Sequence, residues 1–381
     1  MEYRDMGKTG VKTSLLGFGC MRFPTKKTDN GDVIDRELAS KMLDEAIKSG
    51  VNYIDTAYPY HNGESEAFLG EALKAYPRDS FYLATKLPMW DVHKKEDVRR
   101  LFNIQLERLQ TDHVDFYLMH ALGRERFDEA VKNEVREVLE ELRAEGKIKY
   151  IGFSFHDNYD AFEYIIKYYD WDFCQIQYNY MDVNDQAGFK GYKLAEELGV
   201  PMVIMEPIKG GSLVNYSDDI RDEFMKYDPD NSIASWALRW VGTHPNIKVV
   251  LSGMSSMEQV KDNLKTFNNF KPLSDEDKAF LDKMIEKIKS KVNNGCTGCR
   301  YCMPCPHGVD IPRNFSLWNN FGMYHNPNDL NFHYFGQMRG AHSDASACKG
   351  CGLCETKCPQ KLPIREHLKK LDEEFSAYDR R

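Results

Sequence analysis

Through roughly the first two thirds of the chain, short β-branched and aromatic runs alternate with longer stretches whose apolar residues recur every three or four positions. The short runs are 15–20, 53–57, 81–86, 114–120, 150–155, 173–179, 201–207 and 248–253. They are apolar on both faces, as strands of a buried parallel sheet are. The intervening helical patterns include 36–49, 98–109, 127–145 and 185–198. Gly50, Gly146 and Gly199 follow three of them, where a helix commonly ends on a glycine. Eight strand–helix units over about 250 residues predict a closed (β/α)8 TIM barrel of the α/β class. The rival is an open doubly wound sheet, but no G-x-G-x-x-G follows the first strand. The segment 1–13 reads as a short hairpin able to plug the N-terminal mouth.

After the barrel pattern, Ser274-Asp275-Glu276-Asp277 has the spacing of a capping box and predicts a helix running towards Lys291. Asn293-Asn294-Gly295 breaks it, and the composition shifts to Cys, Gly and Pro. The boundary is expected near Ser290, giving a barrel over 1–290 and a small helical and loop domain over 291–381.

The chain has 381 residues, 29% of them charged, and a net charge of -8. A mildly acidic chain argues against a nucleic-acid surface. No apolar run reaches membrane-spanning length, and Met1-Glu2-Tyr3-Arg4-Asp5 lacks the apolar core of a secretion signal. A cytoplasmic protein is the expectation.

Of ten cysteines, eight fall between Cys296 and Cys358, which in a cytosolic setting reads as metal ligation rather than disulfides. Cys348, Cys351, Cys354 and Cys358, followed by Pro359, have the spacing of a bacterial ferredoxin. Cys296, Cys299, Cys302 and Cys305, followed by Pro306, depart from it by one residue before the last cysteine. Three thiolates on a tight loop can wrap three corners of a cubane cluster. Gly298, Gly350 and Gly352 suit close backbone approach. Zinc is the rival, but its sites generally use two well-separated pairs. The expectation is a ferredoxin-like domain with two [4Fe-4S] clusters. By analogy with two-cluster ferredoxins, Cys296, Cys299, Cys302 and Cys358 would hold one, and Cys348, Cys351, Cys354 and Cys305 the other. The insertion 306–347 leaves open a self-contained first group.

A barrel carries its chemistry at the C-terminal ends of its strands. There stand Asp55 after the second strand, Tyr60 in the next loop, Lys86 ending the third and His120 ending the fourth. A carbonyl that receives a hydride must also receive a proton. Tyr60 can give it, with Lys86 lowering the phenol pKa, Asp55 holding Lys86, and His120 orienting the carbonyl. Asp55 and Lys86 also admit a purely structural reading as a buried ion pair. Phe23, Tyr58, Trp90 and Leu122 either wall a substrate pocket or cap the core. The aromatic stretch 164–173 reads as core, and the charged stretch 134–149 as a solvated helix face.

The runs Asn52-Tyr53-Ile54-Asp55-Thr56-Ala57-Tyr58-Pro59-Tyr60, Ser65-Glu66, Leu69-Gly70-Glu71-Ala72-Leu73, Ala84-Thr85-Lys86 and Asp115-Phe116-Tyr117-Leu118-Met119-His120 resemble the signatures of the aldo-keto reductase family. The resemblance spans Tyr3 to about Phe270. It implies a tetrad of Asp55, Tyr60, Lys86 and His120, with Tyr60 as the acid/base. His61-Asn62-Gly63 follow Tyr60 where the family often has Gly directly. The resemblance also implies a nicotinamide at the barrel mouth, over Gly19, Cys20, Met21 and Asp55. Ser154, His156 and Gln175 would hold its carboxamide; Phe155 stands where the family has Asn. Met205 replaces an aromatic that often stacks on the ring. Phosphates and adenosine would lie on Pro207, Lys209, Gly210, Gly211, Ser212 and Leu213, and on Gly253, Met254, Ser255 and Ser256, reaching Gln259 and Asn263.

The implied activity is carbonyl–alcohol interconversion with NADP or NAD on a small substrate. A nicotinamide moves two electrons as a hydride and a cluster moves one. The clusters therefore serve stability, sensing or an external carrier such as ferredoxin. Alternatives are a flavin- or ferredoxin-coupled reductase on the same barrel, or a non-catalytic nucleotide-binding redox sensor.

Overall fold

The computed structural model of the protein describes residues 1–29 and 31–379. Eight parallel strands close into a barrel in chain order. They are β1 Leu16–Gly19, β2 Tyr53–Asp55, β3 Tyr82–Leu87, β4 Val114–Leu122, β5 Ile148–Phe155, β6 Phe173–Gln177, β7 Met202–Met205 and β8 Ile247–Ser252. Each lies on one of the eight expected runs, with no end moved by more than two residues. Gly50, Gly146 and Gly199 all have positive φ, so the glycines expected at helix ends do turn the chain there.

The side-chain period of two decides what faces inward. Tyr53, Ala84, Phe116, Leu118, Phe173, Val203, Val249 and Leu251 form one buried cluster inside the barrel. Tyr117, Met119, Ile151, Phe153 and Phe155 belong to a second cluster, between strands and helices. Each fully buried Leu or Phe contributes about 1.5–3 kcal/mol. Met6 joins the inner cluster, fully buried. It sits between Tyr3–Asp5 and Lys12–Ser14, which pair antiparallel, so the hairpin does plug the N-terminal end.

One local expectation changes, and one hairpin is added to those expected. The helix expected over 127–145 is two helices, Arg124–Lys132 and Val135–Ala144. Glu134 between them is left-handed (φ 51°), which no helix interior tolerates. A second hairpin, Thr25–Thr28 with Gly31–Ile34, follows β1 and is largely exposed. The aromatic stretch behaves as core: Trp171 is buried, and Phe127 packs edge-on against Tyr164, Tyr168 and Tyr169.

The chain forms two compact units, Met1–Lys209 with Ala234–Leu273, and Gly210–Ile233 with the chain from Ser274 onward. The second contains the helices Asp275–Lys289, Ile311–Tyr324 and Ile364–Ser376. The capping box at Ser274 is present, with reciprocal bonds of 3.1 Å between Ser274 and Asp277. Leu330–Met338 winds as a wide π-helix. Phe315, Phe321, Tyr334, Leu371 and Phe375 form the buried core of this unit. Among the described residues, no helix is long and apolar enough to cross a membrane.

Candidate active site

Counting by twos from the inner cluster carries the strands to their C-terminal tips. Tyr53 leads to Asp55, Ala84 to Lys86, Leu118 to His120 and Phe173 to Gln175, all on the inner face. Register sets their heights: Gly19 pairs with Asp55, Asp55 with Ala84, and Lys86 with Leu118.

Lys86 is 1% exposed and Asp55 2%. The Lys86 ammonium donates to Asp55 Oδ1 at 2.6 Å, the Thr56 carbonyl at 2.7 Å and the Tyr60 hydroxyl at 3.5 Å. These use its three protons. The Tyr60 and His120 rings stand edge-on, with centroids 6.3 Å apart. The four residues, three from the tips of β2, β3 and β4 and Tyr60 from the loop after β2, therefore share one mouth.

Burial pulls the Lys86 pKa down, but Asp55 and Tyr60 outweigh it and keep the amine charged. The Tyr60 phenol is pushed up by burial, and Lys86 only partly offsets this. That corrects the expectation of a lowered phenol: desolvation opposes the anion more than one ammonium favours it. His120 is lowered to about 2, first by burial and then by the Lys86 ammonium, His156 and Arg126. It is a neutral imidazole at ordinary pH. Its Nδ1 is buried and has no hydrogen-bond partner among the described residues. The Cys20 thiol is pushed well up by burial and by Asp55.

Several supports were not legible as site residues. The Thr56 carbonyl completes the ammonium's coordination. Behind Lys86 lies a buried polar chain: Gln105 donates to the Lys86 carbonyl at 3.0 Å and to Glu66 at 2.6 Å. Glu66 also accepts from Thr85 at 2.7 Å, and Tyr117 donates to Gln105 at 2.6 Å. A Gln and a Glu on otherwise apolar helix faces were the signal available.

Ser154 and Gln175 are register partners, each 1% exposed. Ser154 Oγ accepts the Ala121 N–H at 2.7 Å. Gln175 Oε1 is buried with no partner among the described residues. Such an orphaned acceptor fits an incoming amide donor. Met205 is partly buried at the tip of β7, and His156 is exposed at the tip of β5. Cys20 is buried and Met21 is 54% exposed.

Other expected cofactor residues are already engaged within the protein. Lys209 is held by both Asp182 oxygens, at 2.7 and 2.5 Å. Gln259 accepts the Ser255 N–H at 2.7 Å, Ser255 donates to the Arg22 carbonyl at 2.8 Å, and Asn263 donates to Ser252 at 2.8 Å. Pro207 is buried, and Gly253 and Gln259 are exposed. Gly210, Gly211 and Leu213 fall in the second unit, the glycines with φ of 62° and 98° and Leu213 buried. Among the pocket-wall candidates, Phe23 and Leu122 are core. Trp90 is 41% exposed, 5.1 Å from the His120 ring, and Tyr58 lies under Arg108 at 4.2 Å.

In the second unit the cysteines wall two cavities. One is lined by Cys305, Cys348, Cys351 and Cys354, the other by Cys296, Cys299 and Cys358, and Cys302 touches both. Each sequence group thus lends its last cysteine to the other's cavity. Among the described residues, no three His, Cys, Asp or Glu side chains converge on a single ion. Thiols spread around a cavity without converging on one point suit a cubane, whose iron corners each take one thiolate, better than a single zinc ion, which needs its four ligands to meet at one centre.

A closed parallel barrel with these polar tips has the layout of an enzyme whose site lies at the C-terminal ends of its strands. The family model "Aldo/keto reductase family" matches residues 15–286, and the chain belongs to that family. Residues 295–362 match a "4Fe-4S dicluster domain". Among curated proteins, the uncharacterized oxidoreductase YqkF of Bacillus subtilis is 28% identical over 76% of this chain and 98% of its own length. The NADH-specific methylglyoxal reductase of Escherichia coli is 27% identical, over 76% of this chain and all of its own. Among solved structures, the holo form of aldo-keto reductase AKR11C1 from Bacillus halodurans superimposes with a TM-score of 0.62 at 28% identity, covering 74% of this chain and 96% of that one.

Proposed function

We propose that the chain reduces a small carbonyl compound, or oxidises the matching alcohol, with NADH or NADPH, and that its tail carries two [4Fe-4S] clusters serving a one-electron carrier. The observation that carries the first half is the buried Lys86 ammonium bonded to both Asp55 and the Tyr60 phenol beside a neutral His120. A bound nicotinamide supplies or accepts the hydride. Gln175 Oε1 and the Ser154 hydroxyl would be the groups to hold its carboxamide, while Gly19 serves the close approach of β1 to β8, since a Cβ there would lie 3.2 Å from the Ser252 carbonyl oxygen.

The protein's own part is the proton. Tyr60, with its pKa raised, keeps its hydroxyl proton at neutral pH and donates it to the carbonyl oxygen as that oxygen becomes an alkoxide. The tyrosinate left behind is stabilised by the Lys86 ammonium, whose charge Asp55 maintains. His120 offers a ring N–H to the same oxygen and, being neutral, does not compete as the acid. In the oxidising direction the tyrosinate takes the alcohol proton back.

For the second half, the cysteines lining the two cavities support Cys296, Cys299, Cys302 and Cys358 for one cluster and Cys305, Cys348, Cys351 and Cys354 for the other, with Cys302 assigned to the first because that cavity has only three cysteines without it.

The test is Tyr60→Phe, assayed against aldehydes and ketones with both nicotinamides. General acid catalysis is worth about 10²–10⁴-fold, so the variant should lose that much turnover while still quenching dihydronicotinamide fluorescence. Carbonyl reduction at the unmodified rate would reject the assignment.

A further inference from the structure

The two cysteine cavities differ in charge. The one walled by Cys305, Cys348, Cys351 and Cys354 is also lined by Lys349, Lys357 and Arg365. Arg365 is neutralised by Glu355, with bonds of 3.0 and 2.8 Å. Lys349 and Lys357 are exposed and have no carboxylate within 4.0 Å among the described residues, so both charges remain available. The cavity walled by Cys296, Cys299 and Cys358 has one charged side chain in its lining, Arg300. Asp310 faces that guanidinium at 3.6 Å. Solvent does not separate the two, since each cavity has one exposed cysteine, Cys351 or Cys299.

A [4Fe-4S] cluster with four thiolates is a net anion, and reduction adds another negative charge. Fixed cations close by therefore favour the reduced form and raise the potential, and net charge is one of the main levers on that potential. We propose that the clusters are unequal, and that the one held by Cys305, Cys348, Cys351 and Cys354 takes the first electron because Lys349 and Lys357 flank it. Each reduction is a single-electron step, [4Fe-4S]²⁺ to [4Fe-4S]⁺. The electron comes from an external low-potential donor, dithionite in the test. The carrier partner of this chain would then meet the lysine-flanked cluster as the preferred acceptor, with the second cluster filling afterwards.

This rests on the two-cluster reading, so iron and acid-labile sulfide are measured first on the anaerobically purified full chain. Binding of only one cluster would defeat that reading. With both present, potentiometric titration followed by electron paramagnetic resonance should resolve two one-electron steps. The double variant Lys349→Gln/Lys357→Gln should move the higher step down and leave the lower unchanged, and Lys349→Arg/Lys357→Arg should restore it. Arg300→Gln should leave the higher step in place. Two full clusters whose steps coincide, or that shift together or not at all in the glutamine variant, would overturn the proposal.

Discussion

Asp55 and Lys86 can be tested as a pair whose structural and chemical contributions separate. Both side chains are almost wholly removed from water, and their charged atoms are 2.6 Å apart. Removing one partner leaves the other charge buried and uncompensated, which costs about 3–5 kcal/mol. For a barrel of this size each kcal/mol lowers Tm by about 2–4 °C, so Asp55→Asn or Lys86→Met alone should lose roughly 6–20 °C. The double variant buries an amide and a thioether and no ion. Replacing a whole buried pair with uncharged groups is often neutral, so its Tm should return to within a few degrees of the parent. Turnover should not return with it: all three variants lack the charged amine beside Tyr60 or its counterion, and each should lose about 10²–10⁴-fold. Melting is followed by near-ultraviolet circular dichroism and turnover by single-turnover aldehyde reduction on the same anaerobic samples. If the double variant melts as low as the two single losses added together, the charges are not coupled. If Lys86→Met keeps parental turnover, the amine has no part in the proton transfer.

The pH dependence follows from the directions of the shifts. His120 is already neutral well below pH 5, burial being the main cause, and Tyr60 is raised above the ordinary phenol value of about 10. The reduction rate should therefore show no inflection from His120 between pH 5 and 8 and should fall only as alkaline pH removes the phenol proton; an inflection near 6.5 that vanishes in His120→Asn would contradict this. Cys358→Ser should disturb the cluster of Cys296, Cys299 and Cys302 and leave the other intact, so that bound iron falls to about half; loss of the Cys348-group spectrum alone would reverse the cysteine assignment. In Gly70→Ala the added Cβ would lie 2.7 Å from the Leu109 carbonyl carbon, a backbone atom that cannot rotate away, and the variant should lose about 1–3 kcal/mol by thermal melting.

The barrel was readable because closure makes local alternation global. Once Phe116 and Leu118 are known to face inward, His120 must follow, and the same count delivers Asp55 and Lys86. Hydropathy alone could not find what depends on one backbone angle or on a distant partner. Glu134 splits a helix by turning left-handed, although the apolar period runs through it. Lys209 was expected beside the cofactor phosphates, and its bond to Asp182, twenty-seven residues away, has no local signal in the sequence. The direction of the Tyr60 shift was misjudged because the ammonium is visible in the sequence and the depth of burial is not. In the tail, spacing carried most of the information, since three cysteines at two-residue gaps leave the loop few conformations.

Met6 reaches the inner column from a hairpin outside the strand–helix repeat. The floor of the barrel is thereby closed by a separate piece of chain, and nothing at the reacting end has to contribute to sealing it. Loops at the strand tips are free to change length or composition without letting water into the interior from below. Substrate choice can therefore drift at one rim while the other serves as a fixed base.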